Sequence, residues 1–195
     1  MRLMGEQRRG KRVAPTPARG SFPTAVPGVV HQRRTDGGAS ATWIGHSTVL
    51  LQLGALNVLT DPMFGPRAFP VSWLGPRRVM EPAIAIDALP PLDVVLLSHS
   101  HYDHLDRGSV KRLAVAHPNA TWVVPLKLDD YIRAWGVREI VELDWWQEAT
   151  IGALRVAATP ARHFSARRAG DCSKGAVKAA PLPCLLQEMI AIHTH

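Results

Sequence analysis

The spacing of apolar and polar positions changes several times along the chain, and each change marks an element. ATWIGHSTVLLQL (41–53) and ALNVLTDP (55–62) are two β-rich runs separated by Gly54, which predicts a hairpin. The second run closes at Asp61-Pro62, where proline stops the ladder. A Pro- and Gly-rich stretch, 63–82, follows, yet it carries Met63, Phe64, Phe69, Trp73 and Leu74. It is expected to fold on its own apolar side chains. The alternative is a lipid-facing edge, because these residues alternate with Arg67, Arg77 and Arg78, and aromatic plus basic residues suit a headgroup interface.

DVVLLS (93–98) is a short unbroken apolar run, the pattern of a strand covered on both faces. Residues 109–116 have helical spacing and stop before His117-Pro118. ATWVVP (120–125) reads as a strand and LKLDDYIRAWG (126–136) as a helix closed by Gly136. REIVELDWW and ATIGALRVAATPA supply two or three more strands, with Trp145 and Trp146 divided between core and pocket wall. Strands followed by alternating strand and helix predict an α/β layered domain over 41–167. From about Arg168 the rhythm is lost, and 168–195 reads as a tail of different character, punctuated only in its last dozen residues.

Charge changes the picture at the N-terminus alone. The net charge is +7, but residues 1–34 hold eight Lys/Arg and one acid, and the remaining 15 basic and 15 acidic residues cancel. The basic character therefore belongs to an arm, 1–40, expected to be disordered, and no specific nucleic-acid partner is expected. A peripheral attraction of the arm to anionic membranes stays open. The arm lacks the 7–15-residue apolar segment of a signal peptide, and no run approaches the roughly 20 apolar residues of a membrane span. A cytoplasmic location, with membrane association as the variant, is the expectation. Cys172 and Cys184 form neither a disulfide framework nor a zinc-ribbon spacing.

The chemistry lies in SHSHYDHLD, which puts three histidines and two aspartates directly after the DVVLLS strand. Imidazole and carboxylate are the usual ligands of zinc and related divalent ions. His99 and His101 alternate, so an extended segment can aim both to one side. Asp103 and His104 turn the corner and can serve a neighbouring position. One loop can thus address two adjacent metals, which activate a water and stabilise a leaving oxygen. A structural zinc site would use cysteines or four paired ligands, and neither is present. Strand ends are also where α/β proteins place their sites.

The HxHxDH core resembles the metallo-β-lactamase superfamily. Its surroundings, TWIGHSTVLLQL, NVLTDPMFGPRAFPVSWLGPRRV, LPPLDVVLLSHSHYDHLD, VPLKL, VELDWW and TPARHFSARR, resemble N-acylphosphatidylethanolamine-hydrolysing phospholipase D and its bacterial relatives, from about Thr42 to Arg167. The resemblance implies an αββα sandwich, two zinc ions, and phosphodiester hydrolysis of N-acylated phosphatidylethanolamine or a similar lipid. It assigns His99, His101 and His163 to one ion and Asp103 and His104 to the other, with Asp103 also orienting the nucleophile. His46 and Asp61 are expected behind the ligands, Asp61 in a structural, orienting role; for His46 a packed or solvated position is equally expected. His31 and His117 are expected in solvent.

The resemblance also implies a bridging aspartate and a final histidine, and neither has a matching motif. Asp171 lies too soon after His163, and nothing around His193 and His195 matches. The expectation is a C-terminally truncated or frameshifted product holding only the N-terminal part of the sandwich, with one ion well ligated and turnover reduced. Two rival readings remain: a lactone hydrolase of the same superfamily, and a non-catalytic metal-binding remnant.

Overall fold

The computed structural model describes residues 17–18, 21–23, 25, 30–71, 73–161 and 163, and the backbone of 187–194. The hairpin predicted at Gly54 joins β2 (Thr48–Leu53) to β3 (Leu56–Thr60), and Gly54 adopts the left-handed φ of 54° that the tight turn needs. In front of it β1 (Ala39–Gly45) pairs antiparallel with β2. β4 (Val94–Leu96), β5 (Thr121–Pro125) and β6 (Ile140–Leu143) then add in parallel to β3, giving a six-stranded sheet in sequence order. A second sheet holds β7 (Glu148–Ile151), β8 (Leu154–Ala161) and β9 (Gln187–Thr194), all antiparallel.

Strand alternation splits the core into two layers. Leu59, Val95, Leu97, Trp122 and Val124 face one side of the large sheet, with Leu105, Val110, Leu113 and Ile132. Val58, Val94, Leu96 and Val123 face the other, against Leu154, Val156 and Ala158 of β8. The unbroken apolar runs in β4 and β5 are the consequence: both of their faces are covered. Trp122, 1% exposed, is the largest buried side chain among the described residues, and its truncation to alanine would cost about 3–5 kcal/mol. Helices on one face of the first sheet and a second sheet on its other face make an α/β fold of metallo-β-lactamase type, in part. Among the described residues no helix covers the outer face of the second sheet.

The crossovers carry the helices. α1 (Arg107–Ala116) starts where Asp106 accepts a hydrogen bond from Ser109 N at 2.9 Å, a side-chain cap. Ser109 Oγ accepts from Phe64 N at 2.8 Å, so the cap also anchors the start of the 63–82 loop. α2 (Asp129–Arg133) is shorter than the helix expected over 126–136, because Lys127 takes a left-handed φ of 69° that no helical turn accommodates.

Other expectations need correction. Residues 30–40, read as part of the arm, are held against the sheet. Buried Gln52 and Asn57 pair with each other at 2.9 Å and donate to the carbonyls of His31 and Gln32, while Arg33 pairs with Asp93. Buried amides need such partners, and this segment supplies them. His31 is exposed as expected, but His117 is half-buried, accepts from Leu92 N at 3.3 Å, and has a pKa lowered by burial. The 63–82 loop does not close on its own apolar residues: Met63 is buried, but Trp73 is 74% exposed, and Phe69, Val71 and Leu74 are exposed with it. Trp146 is exposed too, outside the core.

Candidate metal centre

Strand direction brings the polar residues to one edge. β3 and β4 run parallel, so Asp61 and residues 98–104 leave the sheet side by side. β1 lies two antiparallel steps from β3 and therefore points the same way, which places its turn, His46, at that edge. The end of β8 delivers His163 from the second sheet. Ligand sites in α/β sheets lie beyond the carboxyl ends of the strands for this reason.

Asp61 organises the loop. It is 7% exposed, sits at φ 36°, and is held by its N–H donating to Leu96 O at 2.8 Å. Its carboxylate accepts from Ser98 N and Ser98 Oγ, each at 2.7 Å, and from His104 Nδ1 at 2.9 Å. A carboxylate only accepts, so His104 carries its proton on Nδ1 and presents Nε2 as a lone pair. The Ser98 hydroxyl donates its hydrogen bond to Asp61 and so accepts from His99 Nδ1 at 2.8 Å, which likewise leaves His99 Nε2 unprotonated. One buried carboxylate thus sets the tautomer of two histidines, the arrangement that orients metal-ligating imidazoles.

The donor atoms form two groups. In the first, His99, His101 and His163 offer ligand atoms that all lie within 4.8 Å of one another, with His99 Nε2 2.9 Å from His101 Nδ1. Their ring centroids are 4.7, 4.8 and 5.0 Å apart. The second group joins Asp103 and His104 to His46 under the same limit. Asp103 Oδ2 is 2.9 Å from His46 Nε2 and 3.6 Å from His104 Nε2. Ligands about 2.0–2.1 Å from a tetrahedral ion are separated by about 3.3 Å, and the observed 2.9 and 3.6 Å lie on either side of that value.

The electrostatics suit cations. Burial, then the neighbouring histidines led by His104, push His99 down to about 2, so it is neutral at any working pH. Burial and His163 also lower His101. For His104 burial opposes charge, but the Asp61 hydrogen bond and the charges of Asp61 and Asp103 outweigh it, and its pKa is raised. Neutral imidazoles beside carboxylates are the donor set that zinc and similar ions take, so the residues fit a divalent metal.

The sequence-derived residues His99, His101, Asp103, His104 and His163 all reach this edge, and Asp61 is hydrogen-bonded to Ser98 and His104 beneath it. His46 is different: it is exposed, and it faces Asp103 directly. Its GHS context carried no ligand spacing, and only the pairing of β1 with β2 brings it here. Asp171, His195 and the side chain of His193, considered as stand-ins for missing ligands, lie outside the described residues.

The profile described as "Beta-lactamase superfamily domain" matches residues 56–179, and the chain belongs to that superfamily. An uncharacterised protein of Mycobacterium tuberculosis is 45% identical over 130 residues, 66% of this chain and 35% of that protein. The N-acyl-phosphatidylethanolamine-hydrolyzing phospholipase D 1 of Caenorhabditis elegans is 34% identical over 146 residues, 70% of this chain and 41% of that protein. The chain thus spans well under half the length of these relatives. Further bacterial relatives carry the name metal-dependent hydrolase. For the fold, the crystal structure of a possible metal-dependent hydrolase from Veillonella parvula aligns with a TM-score of 0.54 at 17% identity, over 77% of this chain and 57% of that one.

Proposed function

We propose that this chain carries the metal centre of a zinc-dependent hydrolase that cleaves phosphodiesters in the manner of a phospholipase D, on N-acylphosphatidylethanolamine-like lipids. The observation that carries the reading is the convergence of His99, His101 and His163 from two different sheets. The likeness to the nematode phospholipase D supports the substrate class.

His99, His101 and His163 would hold one ion, and Asp103 and His104 the other. The ions would supply Lewis acidity, lowering the pKa of a water and neutralising charge on the phosphoryl group and leaving oxygen. The side chains do the rest. Asp103, 41% exposed on its side chain, reaches the open side of the loop and can orient the attacking water and accept its proton. The water oxygen would bond to phosphorus as the bond from phosphorus to the ester oxygen of the N-acylethanolamine breaks, and the proton taken from the water would return to that oxygen to release the alcohol.

A lipid substrate is also supported by the surface next to the centre. Phe69 of the 63–82 loop lies 6.2 Å from Tyr102 of the metal loop, ring to ring, and the exposed Val71, Trp73 and Leu74 continue from it. Arg67 and Arg78 donate to carbonyls of Gly75 and Gly65 within the same loop, which braces it, while Arg77 stays exposed. We assign this loop to peripheral contact with a lipid surface around a water-exposed centre. No helix among the described residues is long and apolar enough to cross a membrane.

The test uses purified protein titrated with zinc, assayed on vesicles containing N-acylphosphatidylethanolamine and, in parallel, on a soluble lactone. Release of phosphatidic acid and N-acylethanolamine that depends on zinc and on His99 supports the reading. Turnover of the lactone alone moves the chain to the lactonase reading. Bound zinc without turnover of either leaves a metal-binding protein and ends the proposal.

A further inference from the structure

Asp103 and His104 are neighbours in the metal loop, yet each is hydrogen-bonded to a residue from a different part of the sheet. His104 Nδ1 donates to Asp61, at the end of β3, at 2.9 Å. The Asp103 carboxylate meets His46, in the turn between β1 and β2, also at 2.9 Å. We propose that His46 is a positioning residue: its Nε2–H holds the carboxylate of Asp103 in the orientation that serves the second ion and the attacking water, as Asp61 holds the imidazole of His104. The proposal rests on the reading of this edge as a two-metal hydrolytic centre.

The chemistry of the contact sets the roles. A carboxylate only accepts, so the shared proton sits on His46 Nε2 and the lone pair of that ring is on Nδ1. A nitrogen that carries this proton is a donor and not a metal ligand. Asp103 needs such a donor. Its side chain is 41% exposed, and among the described residues His46 makes the one hydrogen bond to it, while His104 Nε2 stands farther off at 3.6 Å. Free rotation of an exposed aspartate would misdirect the water it orients, and catalysis depends steeply on that placement. The His46 and His104 rings stand 5.2 Å apart between centroids at 68°, so they do not stack, and both turn Nε2 towards Asp103 Oδ2.

The turn is built to hold that donor in place. The Trp43 indole N–H donates to His46 O at 2.8 Å, and the Thr60 hydroxyl donates to Ser47 O at 2.8 Å. The Thr48 hydroxyl donates to Asp61 O at 2.7 Å and accepts from Met63 N at 3.0 Å. The turn bearing His46 and the backbone bearing Asp61 are therefore one hydrogen-bonded unit, and both orienting groups share it. Gly45 precedes the histidine at φ 147°, where a β-carbon would stand 3.0 Å from the Arg78 guanidinium. His46 itself sits at φ 53°, a left-handed conformation that residues with a β-carbon rarely take. A solvated histidine gains nothing from such a backbone, whereas a donor aimed at Asp103 does.

The test reads the ring nitrogens directly. Zinc-loaded protein labelled with nitrogen-15 in its histidines is studied by long-range proton–nitrogen NMR, which separates a protonated, a bare and a metal-bound ring nitrogen. His46, assigned by the signal lost in its variants, is expected to show a protonated Nε2, a bare Nδ1 and no bound metal. Two variants then probe the donor. His46→Gly removes it and suits the left-handed backbone, so the turn is retained, and circular dichroism checks folding. His46→Gln keeps an N–H donor of similar reach. Zinc titration of His46→Gly should show the second ion weakened about 10- to 100-fold, the loss typical of an orienting partner, with the first ion unchanged. With zinc in excess, its kcat on N-acylphosphatidylethanolamine vesicles should fall about 10-fold or more while KM stays within about 2-fold. His46→Gln should recover most of both losses. A metal-bound nitrogen on His46, an unchanged second ion in His46→Gly, or equal losses in the two folded variants would each overturn the proposal. The expected ring state and zinc affinities without hydrolysis would refute the proposed activity and leave the positioning of Asp103 standing.

Discussion

The two donor groups grow from one loop yet occupy different environments. His99 is 5% exposed and its group is all histidine, whereas His46 and Asp103 have side chains 48% and 41% exposed and their group includes a carboxylate. Burial pushes His99 down to about 2 and lowers His101, so His99 is neutral before any ion arrives. A divalent cation meets unprotonated nitrogen there and displaces no proton from His99. The second group keeps its electrostatic attraction but is open to water and salt, and its one well-buried member, His104, is biased towards protonation by Asp61 and Asp103. The same loop therefore builds a preorganised site and a proton-competed site, and the difference comes from the depth of His99 on one side and from the carboxylates beside His104 on the other.

The largest test of that contrast is the residue both groups share. Asp61→Ala should strip orientation from His104 directly and from His99 through Ser98. It would also leave the Ser98 N–H without its acceptor, at about 1–3 kcal/mol. Metal titration should show both sites weakened 10- to 100-fold or more, with a lower Tm. If one site kept its affinity, the common-anchor account would be wrong. Next in size, His99→Ala should abolish the first site while the second still binds an ion. Loss of both would mean that they are one cooperative unit.

A smaller effect concerns pH in chelator-treated protein. His99 titrates near 6.5 when unfolded and is pushed down to about 2 when folded, so between those values the unfolded chain holds the extra proton. Stability should fall as pH drops through 6.5, by at most about 1.4 kcal/mol per pH unit from this group, and lowered His101 adds to the same limb. Raised His104 has the opposite sign: its contribution is complete below 6.5 and fades as pH rises through its folded pKa. Tm measured from pH 7.5 to 5 should decline on the acid side, and His99→Gln should flatten that decline. An unchanged acid limb in the variant would remove His99 from the account. Smallest of all, Trp73→Ala should alter stability by no more than about 0.5 kcal/mol and leave metal content intact. It should lower turnover on vesicles but not on a soluble diester; equal loss on both would tie the loop to the centre instead of to lipid.

Much of this was legible in the chain because it is local. The DVVLLS run, covered on both faces, had to be an interior strand, and a strand followed at once by HxHxDH had to present its imidazoles at an edge. Asp61 was legible for the same reason, since Asp-Pro ends a strand and a short carboxylate there can only reach the neighbouring loop. His163 was found through resemblance, because a lone histidine after a strand carries no signal of its own. The loop at 63–82 was misjudged: its composition suits self-packing and exposure equally, and only its tertiary setting, tied to Ser109 at its start and braced internally by Arg78, leaves Phe69, Val71, Trp73 and Leu74 exposed. His46 marks the boundary most clearly. Its neighbours specify a turn between two strands and nothing more. That this turn lies over Asp103 follows from β1 running parallel to β3 across an intervening antiparallel strand, a matter of register and sheet order. Pairwise distances between residues far apart in sequence are not encoded in any local period, and only the assembled sheet decides them.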